Sequence, residues 1–158
     1  MNMNKIIAKI LKVREFTMAQ IADLTDNALN RIPDGFNNNI IWNLTHLICA
    51  QQGICYLRAG QQALVPAKYI APFSTNTKPE RTIEEEEIRE IKTLFIDTIK
   101  QLQSDYDNRI FENYTASPNI LKIYGIQLAG IDDALEFILY HEGYHSGYIL
   151  ALKKMISI

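Results

Sequence analysis

Apolar side chains recur three and four residues apart along four stretches of this chain, the period of a helix that buries one face. The first stretch, residues 4–31, places Ile6, Ile10, Val13, Ile21, Leu24 and Ala28 on one stripe, and it stops before the turn-forming Pro33-Asp34-Gly35. The second, residues 38–59, opens after an Asn37-Asn38-Asn39 entrance and is apolar on most of its circumference, from Ile40, Ile41 and Trp42 through Leu47, Ile48 and Cys49 to Ile54. A helix apolar nearly all round is buried on several sides, and Gly60 fits a left-handed C-terminal cap. The third opens at Thr82-Ile83-Glu84-Glu85, a capping-box pattern in which consecutive glutamates face the positive end of the helix dipole. Its stripe is Ile88, Ile91, Phe95, Leu102 and Tyr106. The fourth, residues 131–155, carries Asp132 and Asp133 in its first turn and Lys153 and Lys154 in its last, charges that complement the dipole at both ends.

Two connections separate these helices. Residues 61–81 contain Pro66, Pro72 and Pro79, and residues 108–129 contain Pro118 and Gly125, so both read as irregular. Nothing alternates with period two for long enough to be a strand. The expected fold class is all-α, with an antiparallel four-helix bundle as the default and one domain spanning residues 1–158.

Composition narrows the function. A net charge of −2 gives no electrostatic reason to expect nucleic acid or an anionic membrane as partner. The start, MNMNKIIAKILKVREF, breaks each apolar run with a cation and reads as an amphipathic helix, not a leader, and no run of apolar residues is long enough to cross a bilayer. Cys49 and Cys55 would point to nearly opposite sides of one helix, and two unpaired thiols fit a reducing compartment, so a cytoplasmic protein is expected. The surplus apolar circumference of the second helix leads to the expectation of a homodimer; the alternative is that the long connections cover it.

The chemistry lies in the histidines, of which there are three. His141 and His145 stand four apart in His141-Glu142-Gly143-Tyr144-His145, so they share a helix face. That face is the core seam Ala134, Ile138, His141, His145, Ile149 and Leu152. Two buried imidazoles are costly unless something satisfies their nitrogens, and a divalent ion does so directly. His46, mid-helix among apolar neighbours, is the expected third ligand. The five residues also match the zinc-protease signature, but no His, Asp, Glu or Cys follows His145 to complete such a site. Glu142, one step off the ligand direction, has three readings: a flank carboxylate facing a neighbouring helix or solvent, an acceptor orienting a ligand imidazole, or a catalytic proton-transfer group. Cys49 is a fourth ligand or a small core residue, and Trp42 a pocket wall or a core aromatic. Gly53, Gly143 and Gly147, unfavourable inside helices, are expected to permit close helix approach around the site.

The stretch NNIIWNLTHLICAQQGICYLRAG, with tryptophan four before histidine, resembles the second helix of the DinB-like superfamily of four-helix-bundle metalloproteins. HEGYHSGYILALKK resembles that superfamily's last helix, and TKPERTIEEEEIREIK the entrance of its third. The resemblance implies metal ligation by His46, His141 and His145, an up-up-down-down helix order and frequent dimers. It also implies an activity of the kind known in that superfamily, transfer of low-molecular-weight thiols or thiol-dependent isomerisation. Ser146 stands where an arginine is common there, which puts any substrate contact of that arginine in doubt.

Three neutral imidazoles leave a divalent ion an open position. Zinc is the first expectation, with nickel, iron and manganese as rivals for imidazole. The expected function is metal-dependent transfer of a small thiol to an electrophile, or a related hydrolysis. The alternative is a non-catalytic metal-binding or ligand-sensing bundle.

Overall fold

The computed structural model describes residues 4–156. The ends of the expected 1–158 domain, including the first three residues of the amphipathic start, lie outside the described residues. Four long helices carry the structure: α1 (Lys5–Gln20), α3 (Ile40–Gln51), α4 (Glu85–Asp107) and α6 (Ile131–Ile156). Two short ones are added, α2 (Asp26–Asn30) and α5 (Pro118–Tyr124). Among the described residues there is no strand, and no helix is long and apolar enough to cross a membrane. The four long helices close a ring in which α1 packs on α4 and α6, and α3 packs on the same two.

The core is split into two large apolar clusters and a smaller third one around Ile120, Leu128, Ala134 and Phe137, and the order in which each long helix meets the two large ones gives its direction. Ile7 and Ile10 of α1 join Cys55, Tyr56, Ile99, Leu102, Leu135 and Ile138 in one cluster. Ile21, just past the end of α1, joins Ile40, Ile41, Leu44, Leu47, Ile88, Phe95, Ile149 and Leu152 in the other. Thus α1 and α6 run one way and α3 and α4 the other. The expected up-up-down-down order is corrected to up-down-down-up. The 61–84 connection returns the chain the full length of the helices, laying Val65, Tyr69 and Phe73 on the first-met cluster of α3 before α4 begins. Periodicity carries no direction, so either order fitted the sequence.

Local chemistry explains the helix ends. Asn4 Oδ1 accepts from the Ile6 and Ile7 amides, and Asn39 Oδ1 from the Trp42 amide. The continuous 4–31 helix is corrected: the chain turns at residues 21–23, and Thr25 caps α2 through the Ala28 amide, a Thr-Asp start signal that outweighs the apolar period. The buried stripe of α1 is Ile7, Ile10, Arg14 and Thr17, not the expected one through Ile6 and Val13. The capping box before α4 does not form; Glu84 is the N-cap and makes no side-chain cap bond. Instead the Asn30 amide clasps both backbone groups of Ile83, at 2.8 and 2.9 Å. Gly60 is left-handed (φ 72°), as its cap position requires, and α3 reaches it through a π turn, Gln52–Tyr56. The 108–129 connection contains α5, capped by Ser117, opened by Pro118 and closed by left-handed Gly125.

The apolar surplus of α3 is covered within the chain. Ile40 through Cys49 are all buried, and Tyr69, Phe73 and Val65 of the following connection lie in the same cluster. The surface argument for a homodimer on α3 therefore falls away. The three helical glycines do not mediate close packing either: an added Cβ at Gly53, Gly143 or Gly147 would meet nothing within 4 Å.

Candidate metal centre

Between the two apolar clusters runs a belt of buried polar side chains, supplied at mid-length by every long helix: Arg14 and Thr17 from α1, His46 and Gln51 from α3, Thr98 from α4, and His141, Glu142, His145 and Ser146 from α6. The three histidines meet within it. One ring nitrogen from each lies within 4.8 Å of the others, and the ring centroids of His46 stand 5.2 and 4.8 Å from those of His141 and His145.

Two of the rings are held in a defined tautomer. His46 Nδ1 lies 2.7 Å from the Phe73 carbonyl oxygen. A carbonyl only accepts, so Nδ1 carries the proton and Nε2 keeps its lone pair. His145 Nδ1 lies 2.8 Å from Asn43 Oδ1. The Asn43 amide is oriented by its NH2 group, which donates to Asn39 O at 2.7 Å and Asn38 Oδ1 at 3.0 Å, so its oxygen accepts from His145 and again leaves Nε2 free. His141 Nδ1 is buried with no hydrogen-bond partner. Trp42 stacks flat on His46, with centroids 4.9 Å and planes 7° apart, and so walls the site while remaining a core aromatic.

Electrostatics keep the trio neutral. Burial pulls His46 below the usual imidazole range, against its bond to Phe73. Burial, and then the neighbouring imidazoles, push His141 down to about 2, and burial with His46 pushes His145 down to about 3. Neutral imidazoles with available lone pairs are what a divalent cation needs, so the residues present fit such an ion.

The other expected residues fall into place around the trio. Cys49 stands outside the ligand cluster: its Sγ donates to Ile70 O at 3.2 Å, and burial raises its thiol to about 11. Ser146 bonds Thr17 across α1 and α6 at 2.9 Å. Glu142 is fully buried, which removes the solvent-facing reading. Its Oε1 accepts from Arg14 Nε at 2.9 Å and Nη2 at 2.6 Å. Arg14 was missed by sequence reasoning. Its remaining N–H groups donate to Phe95 O (2.7 Å) and Thr98 Oγ1 (3.1 Å) on α4 and to Leu47 O (3.3 Å) on α3, so one guanidinium ties all four long helices beside the trio. Burial pushes the Glu142 carboxyl above its ordinary range, and the Arg14 charge opposes that shift.

His46 and His141 open on a cavity of about 660 Å3, within the size range of small-molecule sites. Residues 10–149 match the DinB superfamily across most of the chain. The chain belongs to the DinB superfamily. Comparison with curated proteins finds no match. A buried triad of the kind seen here, in a superfamily associated with metals, is able to hold a metal ion.

Proposed function

We propose that this DinB-superfamily protein is a divalent-metal-dependent enzyme that transfers a low-molecular-weight thiol to an electrophile, working as a four-helix bundle in one domain. The observation that carries the reading is the trio of neutral imidazoles, two of them proton-fixed by carbonyl oxygens, opening on a ligand-sized cavity. A closed structural site has no need of such a cavity. A divalent ion held by His46, His141 and His145 would supply Lewis acidity that lowers the pKa of a thiol or water at its open position. Zinc is the proposed ion.

The chain's own residues then have distinct tasks. Phe73 O and Asn43 fix the rings of His46 and His145, while Trp42 excludes water from one side. The Arg14–Glu142 pair supports a positioning role for Glu142 through α6, because Oε1 accepts two N–H bonds from Arg14 and the buried Oε2 has no partner in the site. A cytoplasmic location agrees with the two buried free thiols. A homodimer is proposed, with exposed Leu121, Ile123, Tyr140 and Tyr144 as the apolar surface available to it.

Metal analysis of purified protein, followed by a thiol-transfer screen with and without chelator, tests the reading. Equimolar zinc with chelator-sensitive transfer is the expected result. Turnover of esters or amides in place of transfer would make it a hydrolase, and stoichiometric metal without turnover would make it a binding protein.

A further inference from the structure

We infer that the substrate is elongated and anionic at one end, lying along one face of α3 with its tail held by Arg58 and Lys122 and its sulfur at the histidines. The inference rests on the thiol reading above. His46, Ala50, Gly53, Leu57 and Arg58 all line the large cavity. Spacings of four, seven and eleven from His46 are those of a single helical face, and Arg58 follows one residue on, so the cavity is a groove along α3 and its π turn. Twelve residues of helix separate the ends by about 18 Å at about 1.5 Å per residue. His46 stands at one end and a guanidinium at the other.

The groove is cationic, with Arg58 at that far end and Lys122 of α5 in its wall. Arg58 and Lys122 line it, while no Asp or Glu does. Among the described residues neither cation is paired with a carboxylate. Arg58 is held by its Nε and Nη2, which donate to Thr115 O at 3.0 Å and Thr115 Oγ1 at 2.8 Å, so the fork is pre-oriented and retains N–H donors for an anion. In a chain of net charge −2, a carboxylate-free groove with two unpaired cations selects for negative charge. Midway, Gly53 leaves the floor open, since a Cβ there would meet nothing within 4 Å. Backbone without a side chain at this point is room for the body of a ligand.

The experiment loads the protein with cobalt(II) and titrates ω-mercapto carboxylic acids, from propanoate to dodecanoate, against ω-mercapto alcohols of equal length. The sulfur-to-cobalt charge-transfer band reports binding. The expected result is that long acids bind at least about tenfold more tightly than their alcohols, as a charge-assisted contact implies, while short acids show no such preference. Arg58→Met and Lys122→Met should each reduce the preference and leave alcohol binding in place, which also certifies that the variant is folded. Gly53→Leu should weaken long thiols and spare short ones. Acids and alcohols of equal affinity at every length, or a preference indifferent to both cations, would overturn the inference alone. Absence of the band with every thiol would overturn the thiol reading and this inference with it.

Discussion

His141 and Glu142 are neighbours in sequence, both buried, and they serve different sides of α6. His141 lines the cavity, and its buried Nδ1 has no protein partner. Glu142 faces a dry interior where one oxygen takes two bonds from Arg14, whose every N–H direction is used. The cavity side leaves His141 Nδ1 without a partner, whereas on the clamp side all the N–H groups of Arg14 are used and only the second Glu142 oxygen, Oε2, is left buried and unpartnered. The rotation of about 100° between consecutive helical residues assigns one role to each side. It also couples them, because the clamp that joins all four helices fixes the rotation of α6 and hence the direction of both its histidines.

The largest effect is expected on the clamp side. Arg14→Met or Glu142→Leu alone strands a buried charge and should cost about 3–5 kcal/mol in urea unfolding. Replacing both together removes the stranded charge and should recover most of that loss. If the double variant also regains full metal affinity, the clamp only holds the fold; affinity lowered by about 10- to 100-fold in a stable double variant would establish that it aims the ligands.

On the cavity side the effect should be on metal and not on fold. Replacing His46, His141 or His145 by alanine is expected to lower zinc affinity by more than about 100-fold, since too few donors remain to hold an open site. Full occupancy in His46→Ala would remove the third ligand. Asn43→Ala should fall between the two sides, lowering zinc affinity by about 10- to 100-fold through the freed His145 ring.

Acid separates the sides by a different route. The trio's values in the folded, metal-free protein lie below the ordinary 6.5, with His141 at about 2 and His145 at about 3. The unfolded chain therefore takes up protons first as pH falls. Stability is complete above about pH 6.5 and declines below it towards those lower values. Bound metal should raise the whole curve without flattening it, because the unfolded chain still takes up the protons, whereas replacing the three histidines with apolar residues should flatten the decline. A metal-free protein whose unfolding midpoint is constant from pH 7 to pH 4 would contradict this.

The two sides were unequally legible in the sequence. Three histidines on apolar seams are visible as a break in a pattern, and all six positions of the expected α6 seam are buried, beside Leu135, Phe137, Glu142 and Ser146, which the seam does not include. Arg14 was invisible because a cation on an amphipathic helix is ordinarily on its solvent face; only tertiary partners on three other helices make its burial sensible. Without Arg14, the role of Glu142 stayed open. The signals for α5, Ser117-Pro118 before it and Gly125 after it, were present, but a seven-residue helix is too short to show a period. Helix direction and the π turn leave no periodic trace, so the groove along α3 could not be foreseen.

The smallest effect concerns the outer surface of α6, the third environment this one helix sees. Gly143 and Gly147 are exposed, and a Cβ at either would meet nothing within 4 Å. Each keeps a negative φ, so alanine introduces no backbone strain there. With open space and helical backbone, Gly143→Ala and Gly147→Ala should each stabilise the protein by about 0.5–1 kcal/mol by narrowing the unfolded ensemble. Zinc affinity should not change, because neither glycine faces the trio. The measurement is urea unfolding at several protein concentrations beside light scattering against the 18.1 kDa chain. Destabilisation relative to the parent that shrinks as both proteins are diluted would mean that a second copy packs against these glycines on the exposed face of α6.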